Sequence, residues 1–299
     1  MPKISLCGDG FVGNQIDSHL SQVLNLQILQ TPRSFMKPYN LNQNELNSLI
    51  VYFNEVQPDI IINVAGPTNI QESFENSDEY TLGQFTQVHN HVEVLKRLKF
   101  KPIYIYLSSG SVYGSTIQSG ATESDIPKPI SPYAEGKILA EEYLLKTKIE
   151  GDVFHALYIF RGFSLYSSEK THRLLKLIDE IYSTKIPPVL FGTGNEIRDF
   201  VSIKFFCEAI KRLLNAREEI PSGVYNLSSG VGMSIIEICE IANSQSTTGK
   251  SVNIEFNGIQ RIGDPSCMVG VNFKMIEAFS LQIESPSEGI RKLFFRSLK

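Results

Sequence analysis

The feature that most constrains this chain is a glycine loop close to its start. A short apolar run at residues 4–7 leads into Gly8-Asp9-Gly10-Phe11-Val12-Gly13 and then into a helical segment. Glycines at this spacing, between a strand and a helix, allow a tight turn and let a pyrophosphate approach the backbone. The exposed amides and dipole of the helix N-terminus then stabilise its charge. A glycine-rich turn in an unrelated α/β protein is the competing explanation. The order of the downstream strands and helices favours a dinucleotide site.

Further apolar runs at 26–29, 59–64, 103–107, 154–160 and 224–227 alternate with longer amphipathic stretches in which, for example, Val92, Leu95 and Leu98 share a helix face. Several runs are apolar almost throughout, so both of their faces are buried, as in a parallel sheet between helix layers. Strand–helix alternation predicts a doubly wound α/β fold. Beyond residue 163 loop-like stretches intervene (164–171, 186–195 and 257–266). The expectation is a larger domain over 1–163, with 199–230 returning to it, and a smaller substrate lobe built from 164–198 and 231–299.

The chain has 299 residues and a net charge of −4, so no strong positive field invites nucleic acid or an anionic membrane surface. No apolar run approaches the roughly 20 residues that span a bilayer. The N-terminus enters a strand-like run at once and does not read as a signal peptide. Cys7, Cys207, Cys239 and Cys267 are widely separated, show no metal-ligand spacing, and read as buried thiols of a reducing cytoplasm. No metal is expected.

The second strand ends without the Asp or Glu that commonly holds the ribose 2′-hydroxyl of NAD. Arg33 stands nearby and is expected to pair with the 2′-phosphate of NADP, with a solvated surface arginine as the alternative. NADP is therefore the expected cofactor, and NAD is the alternative.

The strand at 103–107 ends in hydroxyls, Ser108-Ser109-Gly110-Ser111. Ligands of open α/β sheets bind at the carboxyl ends of strands. Ser109 is thus placed to bond a substrate oxygen, unless the serines only cap a turn. Downstream, Tyr133 and Lys137 stand four residues apart, on one face of a helix that begins near Pro132. A free tyrosine, with a pKa of about 10, is a poor base. The lysine ammonium and a nearby nicotinamide are expected to lower that value. Lys137 is also expected to donate to the nicotinamide ribose. Each residue alone reads as an ordinary aromatic or surface charge, and the ordered set carries the inference.

These segments resemble the extended short-chain dehydrogenase/reductases, specifically the nucleotide-sugar epimerases, dehydratases and reductases, over nearly the whole chain. The resemblance rests on Asp59-Ile60-Ile61-Ile62-Asn63-Val64-Ala65-Gly66, on Ser108-Ser109-Gly110-Ser111-Val112-Tyr113-Gly114 and on Ser131-Pro132-Tyr133-Ala134-Glu135-Gly136-Lys137. It extends to Arg161-Gly162-Phe163-Ser164-Leu165-Tyr166, to the Gly192–Val201 segment containing Arg198-Asp199, and to Arg261-Ile262-Gly263-Asp264. It implies a Rossmann-like fold and a catalytic set of Ser109, Tyr133 and Lys137. The implied cofactor contacts are residues 8–13, Arg33, Asn40, Leu41, Ala65, Gly66, Leu107, Phe160, Gly162 and Phe163, besides the catalytic pair. The implied substrate contacts are Thr68, Ser109, Gly110, Ser111, Ser164, Arg198 and Arg261, the two arginines holding a diphosphate. A homodimer through sheet-flanking helices is implied as well.

The departures narrow the chemistry. Cys7 replaces the first glycine of the family loop. Gly110 and Ser111 stand where dehydratases carry an acidic pair, so 4,6-dehydration is not expected. Ser111 also replaces the cysteine that an epimerising synthase of the family uses. Gly162 and Ser164 replace the usual Pro and Asn. His172 lies near the position of a matching acid but reads as a surface residue. The expected activity is NADPH-dependent reduction of a nucleoside-diphosphate 4-keto-6-deoxyhexose. A 4-epimerase with retained NAD is the alternative, and a binding protein that has lost turnover is the third reading.

Overall fold

The computed structural model describes residues 2–24, 28–31, 43–98, 100–151, 153–167, 174–178, 189–216, 219–245 and 254–297. Six parallel strands form the central sheet: β1 (Ile4–Cys7), β2 (Ile28–Gln30), β3 (Ile60–Asn63), β4 (Ile103–Ser109), β5 (Ala156–Gly162) and β9 (Gly223–Leu227). Their order across the sheet is β2-β1-β3-β4-β5-β9. β1, β3 and β5 are buried at every residue, and β4 at all but Ser109. Helices therefore cover both faces, as the continuous apolar runs predict.

One apolar layer joins Ile4, Leu6, Ile60, Ile62, Ile105 and Phe160 to helix α6 (Ile203–Ala216) and to Met275 and Phe279. The other joins Ile61, Tyr104, Tyr106 and Ile159 to α2 (Gln43–Val56), α4 (Ser77–Leu98) and α5 (Pro132–Glu150). Alternate side chains of each strand supply the two layers. Strand order reverses between β1 and β3, which opens a crevice at their carboxyl ends, the place where ligands of such sheets bind.

A second, smaller sheet is centred on β8 (Ile197–Ser202). It pairs in parallel with β6 (Ser164–Tyr166) and β12 (Cys267–Met268), and antiparallel with β10 (Gly232–Ser234). Residues 199–202 thus lie in this sheet, whereas 223–227 join the central one beside β5. The stretch at 186–195 contains β7 (Val189–Leu190), which pairs with β11 (Glu255–Phe256). That strand exists only because a distant partner satisfies its backbone, so local sequence did not reveal it.

The four cysteines are buried and form no disulfide. Among the described residues no helix is long and apolar enough to cross a membrane, and no cluster of His, Cys, Asp or Glu is arranged to hold a metal ion.

Candidate active site

The glycine loop and the end of β3 form one floor. Gly8 has φ +128°, and a Cβ there would lie 2.8 Å from Val64 Cγ2 and 3.0 Å from the Ala65 nitrogen. Only glycine suits both that backbone and that approach. A Cβ on Gly13 would lie 1.8 Å from the Gly8 carbonyl oxygen, so Gly13 permits the turn to close on itself. A Cβ on the exposed Gly10 would meet nothing within 4 Å. The loop therefore has two glycines demanded by its own packing and one whose side-chain space opens outward beside the start of α1 (Phe11–Leu24). This cradle fits a pyrophosphate. Cys7 at the first position is buried in the strand, with its Sγ 2.9 Å from Thr31 Oγ1, and it leaves the loop intact.

Beside the floor, β4 delivers Ser109 at its carboxyl end. Ser109 then caps a 3-10 turn (Gly110–Tyr113). Ser109 Oγ accepts from the Ser111 backbone N–H at 3.2 Å and from the Ser111 hydroxyl at 2.9 Å. α5 starts at Pro132, with the Ser131 hydroxyl accepting from the Ala134 N–H at 3.3 Å. Proline at the first helical position loses no bond, and serine satisfies an orphan donor.

The first turns of α5 bury Tyr133 and Lys137, which are 8% and 4% exposed. Lys137 Nζ donates to the Leu107 carbonyl at 3.0 Å and lies 4.8 Å from the Tyr106 ring centroid. The lysine thus ties α5 to the end of β4 and is no surface charge.

Burial sets the protonation of this pair. It pushes the Tyr133 phenol above its ordinary value, and the hydrogen bond with Ser109 pulls the other way. It brings Lys137 down to about 7, with Glu141 opposing the shift. Desolvation is the largest influence of the chain itself on Tyr133, and the lowering expected of Lys137 depends on the nicotinamide as well.

Sequence reading missed a buried network behind the pair. Glu141, one further turn along the Tyr133–Lys137 stripe, accepts from Arg161 Nη2 at 2.7 Å and from Arg161 Nε at 3.1 Å. Arg161 Nη1 donates to Tyr113 OH at 2.8 Å, and Tyr113 OH donates to Asn226 Oδ1 at 2.7 Å. α5, the turn after β4, β5 and β9 are thereby joined through polar groups. A glutamate at four-residue spacing from Lys137 on a buried helix face was the available signal.

The smaller sheet brings the arginine motifs to the same side. Arg198 Nη2 donates to Asp264 Oδ1 at 2.6 Å, so the two motifs meet. The Arg261 guanidinium lies 4.4 Å from the Phe191 ring centroid. Gln71 Nε2 in α3 (Ile70–Glu75) donates to the Ile262 carbonyl at 2.8 Å, and a Cβ on Gly263 would lie 3.2 Å from Ser131 Cβ. The Arg261–Asp264 turn therefore packs against α3 and against Ser131, the cap of α5. The buried Asp199 accepts from the Ser229, Gly230 and Gly270 amides, and burial raises it to about 6.

Of the expected contact residues, Asp9 lies just beyond the end of β1, and Gly66 and exposed Thr68 just beyond the end of β3, while Leu107 offers its carbonyl to Lys137. Gly162 ends β5 opposite Ser109. Phe163 stacks on Tyr113 and fills the space against Gly110, where a Cβ would lie 2.9 Å from its ring. Ser164 is buried in β6. Two side chains are not brought to the crevice mouth. Phe160 is fully buried against Phe206, Tyr225 and Phe279, and Val12 packs on the same core layer. Arg33, Asn40, Leu41 and His172 lie outside the described residues.

Fold and site together define an α/β nucleotide-binding protein with a Ser–Tyr–Lys set, its Tyr and Lys buried, at the carboxyl end of its sheet. The sequence matches the NAD dependent epimerase/dehydratase family over residues 8–228, and the chain belongs to that family. It is 26% identical to GDP-6-deoxy-D-mannose reductase of Pseudomonas aeruginosa over 245 residues, covering 78% of this chain and 76% of the relative. It is equally 26% identical to a putative UDP-glucose 4-epimerase of Methanocaldococcus jannaschii over 254 residues, covering 78% and 79%. In fold it is similar to the Thermus thermophilus UDP-glucose 4-epimerase solved with NAD (TM-score 0.82, 20% identity, 98% and 99% of the two chains). It is similar as well to RMD from Pseudomonas aeruginosa solved with NADPH (TM-score 0.77, 23% identity, 99% and 98%).

Proposed function

We propose that this protein is a nicotinamide-dependent oxidoreductase of a nucleoside-diphosphate sugar, and specifically a reductase of a 4-keto-6-deoxyhexose. The glycine cradle at residues 8–13, the Ala65-Gly66 floor and Lys137 hold the dinucleotide. When bound, the nicotinamide supplies or accepts the hydride. Ser109 holds the sugar oxygen by a hydrogen bond, and Tyr133 gives it the proton. Arg198 and Arg261, in the smaller lobe built around β8, bind the diphosphate, for which the guanidinium fork is suited.

The observation that carries the reading is the buried Tyr133–Lys137 pair beside Ser109, combined with the packing of Gly110. Burial keeps Tyr133 protonated at neutral pH, the state an acid needs in order to quench a new alkoxide. The acidic pair of a dehydratase is missing at 110 and 111, and Phe163 leaves no space for a side chain at 110. The reductase relative, the missing second-strand acid and Arg33 favour NADPH.

The similarity to 4-epimerases supports a second reading, in which the same residues work with a retained NAD. The experiment incubates the protein with NADPH and a panel of nucleoside-diphosphate 4-keto-6-deoxyhexoses and follows nicotinamide absorbance. Stoichiometric loss of NADPH is expected. Interconversion of UDP-glucose and UDP-galactose with no net absorbance change establishes the epimerase instead. A homodimer through α4 and α5 belongs to the proposal, and light scattering tests it.

A further inference from the structure

Ser111 is 5% exposed and directs both its hydroxyl and its backbone N–H at one atom, Ser109 Oγ. A serine hydroxyl has one proton to donate and two acceptor lone pairs. Here both acceptor positions are filled from the same residue, so Ser109 is left with its proton alone. We propose that Ser111 is a positioning residue of the proton-transfer site: it commits Ser109 to the donor role, its one proton bonding either the Tyr133 oxygen or the sugar oxygen at a time. The inference rests on the function proposed above, and it goes beyond it by assigning a task to a position that the catalytic set does not include.

The consequence is chemical. A serine with an open lone pair can accept the proton of a sugar hydroxyl as readily as it can donate to a ketone. A serine restricted to donation recognises oxygen as an acceptor, whether carbonyl or alkoxide, and stabilises a phenolate on Tyr133. That restriction matches an oxygen on which negative charge develops. The backbone N–H alone leaves one lone pair open, so the Ser111 hydroxyl is the part that can be deleted without disturbing the turn. Its orientation also explains what replaces the acidic side chain at this position. The hydroxyl turns onto Ser109 and serves it from behind.

The test compares Ser111→Ala and Ser111→Thr with the parent, each also combined with Tyr133→Phe. The first readout needs no substrate. Ultraviolet difference titration of each protein against its Tyr133→Phe partner isolates the Tyr133 phenolate. Ser111→Ala should move that midpoint to higher pH, while Ser111→Thr, which keeps the hydroxyl, should leave it in place. In turnover of a nucleoside-diphosphate 4-keto sugar with NADPH, Ser111→Ala should lower kcat about tenfold, with KM, cofactor affinity and thermal midpoint unchanged. An unmoved titration midpoint overturns the proposal, as does a raised KM at constant kcat. A thermal midpoint that falls in parallel with kcat marks a merely structural role and also overturns it. If Tyr133→Phe keeps full turnover the functional reading fails, yet the titration still decides whether Ser111 orders Ser109.

Discussion

At the residue scale, the glycine loop separates folding from binding within six positions. Gly13 lies where any Cβ collides with the Gly8 carbonyl, and Gly10 where a Cβ meets nothing. Gly13→Ala should therefore lower the thermal midpoint or abolish folding. Gly10→Ala should keep the parent midpoint and weaken dinucleotide binding about tenfold, as calorimetric titration would show. Tyr133→Phe should reduce turnover by roughly 10²–10⁴ while leaving cofactor affinity intact. Lys137 makes a prediction of its own. In the folded chain it titrates near 7, against 10.5 for an ordinary lysine. The unfolded chain then binds the extra proton throughout that window, so this residue makes stability rise as pH climbs from about 7 toward 10.5. Thermal midpoints recorded across that range should rise less in Lys137→Met than in the parent.

At the element scale, α5 is the part that everything else locates. It is drawn to β4 by Lys137, and it approaches α4 through Gly136, whose added Cβ would stand 2.4 Å from the Tyr80 carbonyl. Gly136→Ala must move one helix. It should cost about 1–3 kcal/mol in denaturant unfolding, and it should lower kcat because Tyr133 moves with the helix. The Arg161–Glu141 pair fixes the other end of the same stripe, with side chains only 6% and 3% exposed. Glu141→Ala strands the guanidinium in the interior and should cost about 3–5 kcal/mol, whereas Glu141→Leu with Arg161→Met should recover part of the loss. Urea unfolding of the two variants beside the parent measures both effects.

At the scale of the whole molecule, the central sheet was legible because burial on both faces leaves unbroken apolar runs such as Ile60-Ile61-Ile62. The loop at residues 8–13 and the Tyr133–Lys137 pair were legible because their geometry depends on residues close together in sequence. The Glu141–Arg161–Tyr113–Asn226 network was not, since its members lie 20, 48 and 113 positions apart and only the finished fold makes them neighbours. The same holds for β7, which needs β11. The rise that burial imposes on Tyr133 was out of reach for a related reason: charge proximity can be read from spacing, but the depth of burial cannot.

The packing of Phe163 against Gly110 bears on the ancestry open to this chain. Placing a carboxylate at 110 first drives it into the ring, and trimming Phe163 first opens a hole worth about 3–5 kcal/mol. Neither order of replacement passes through a comfortable intermediate. An elimination site here would thus require a paired change at 110 and 163 besides a new acid at 111, a combination that single substitutions do not reach through stable intermediates.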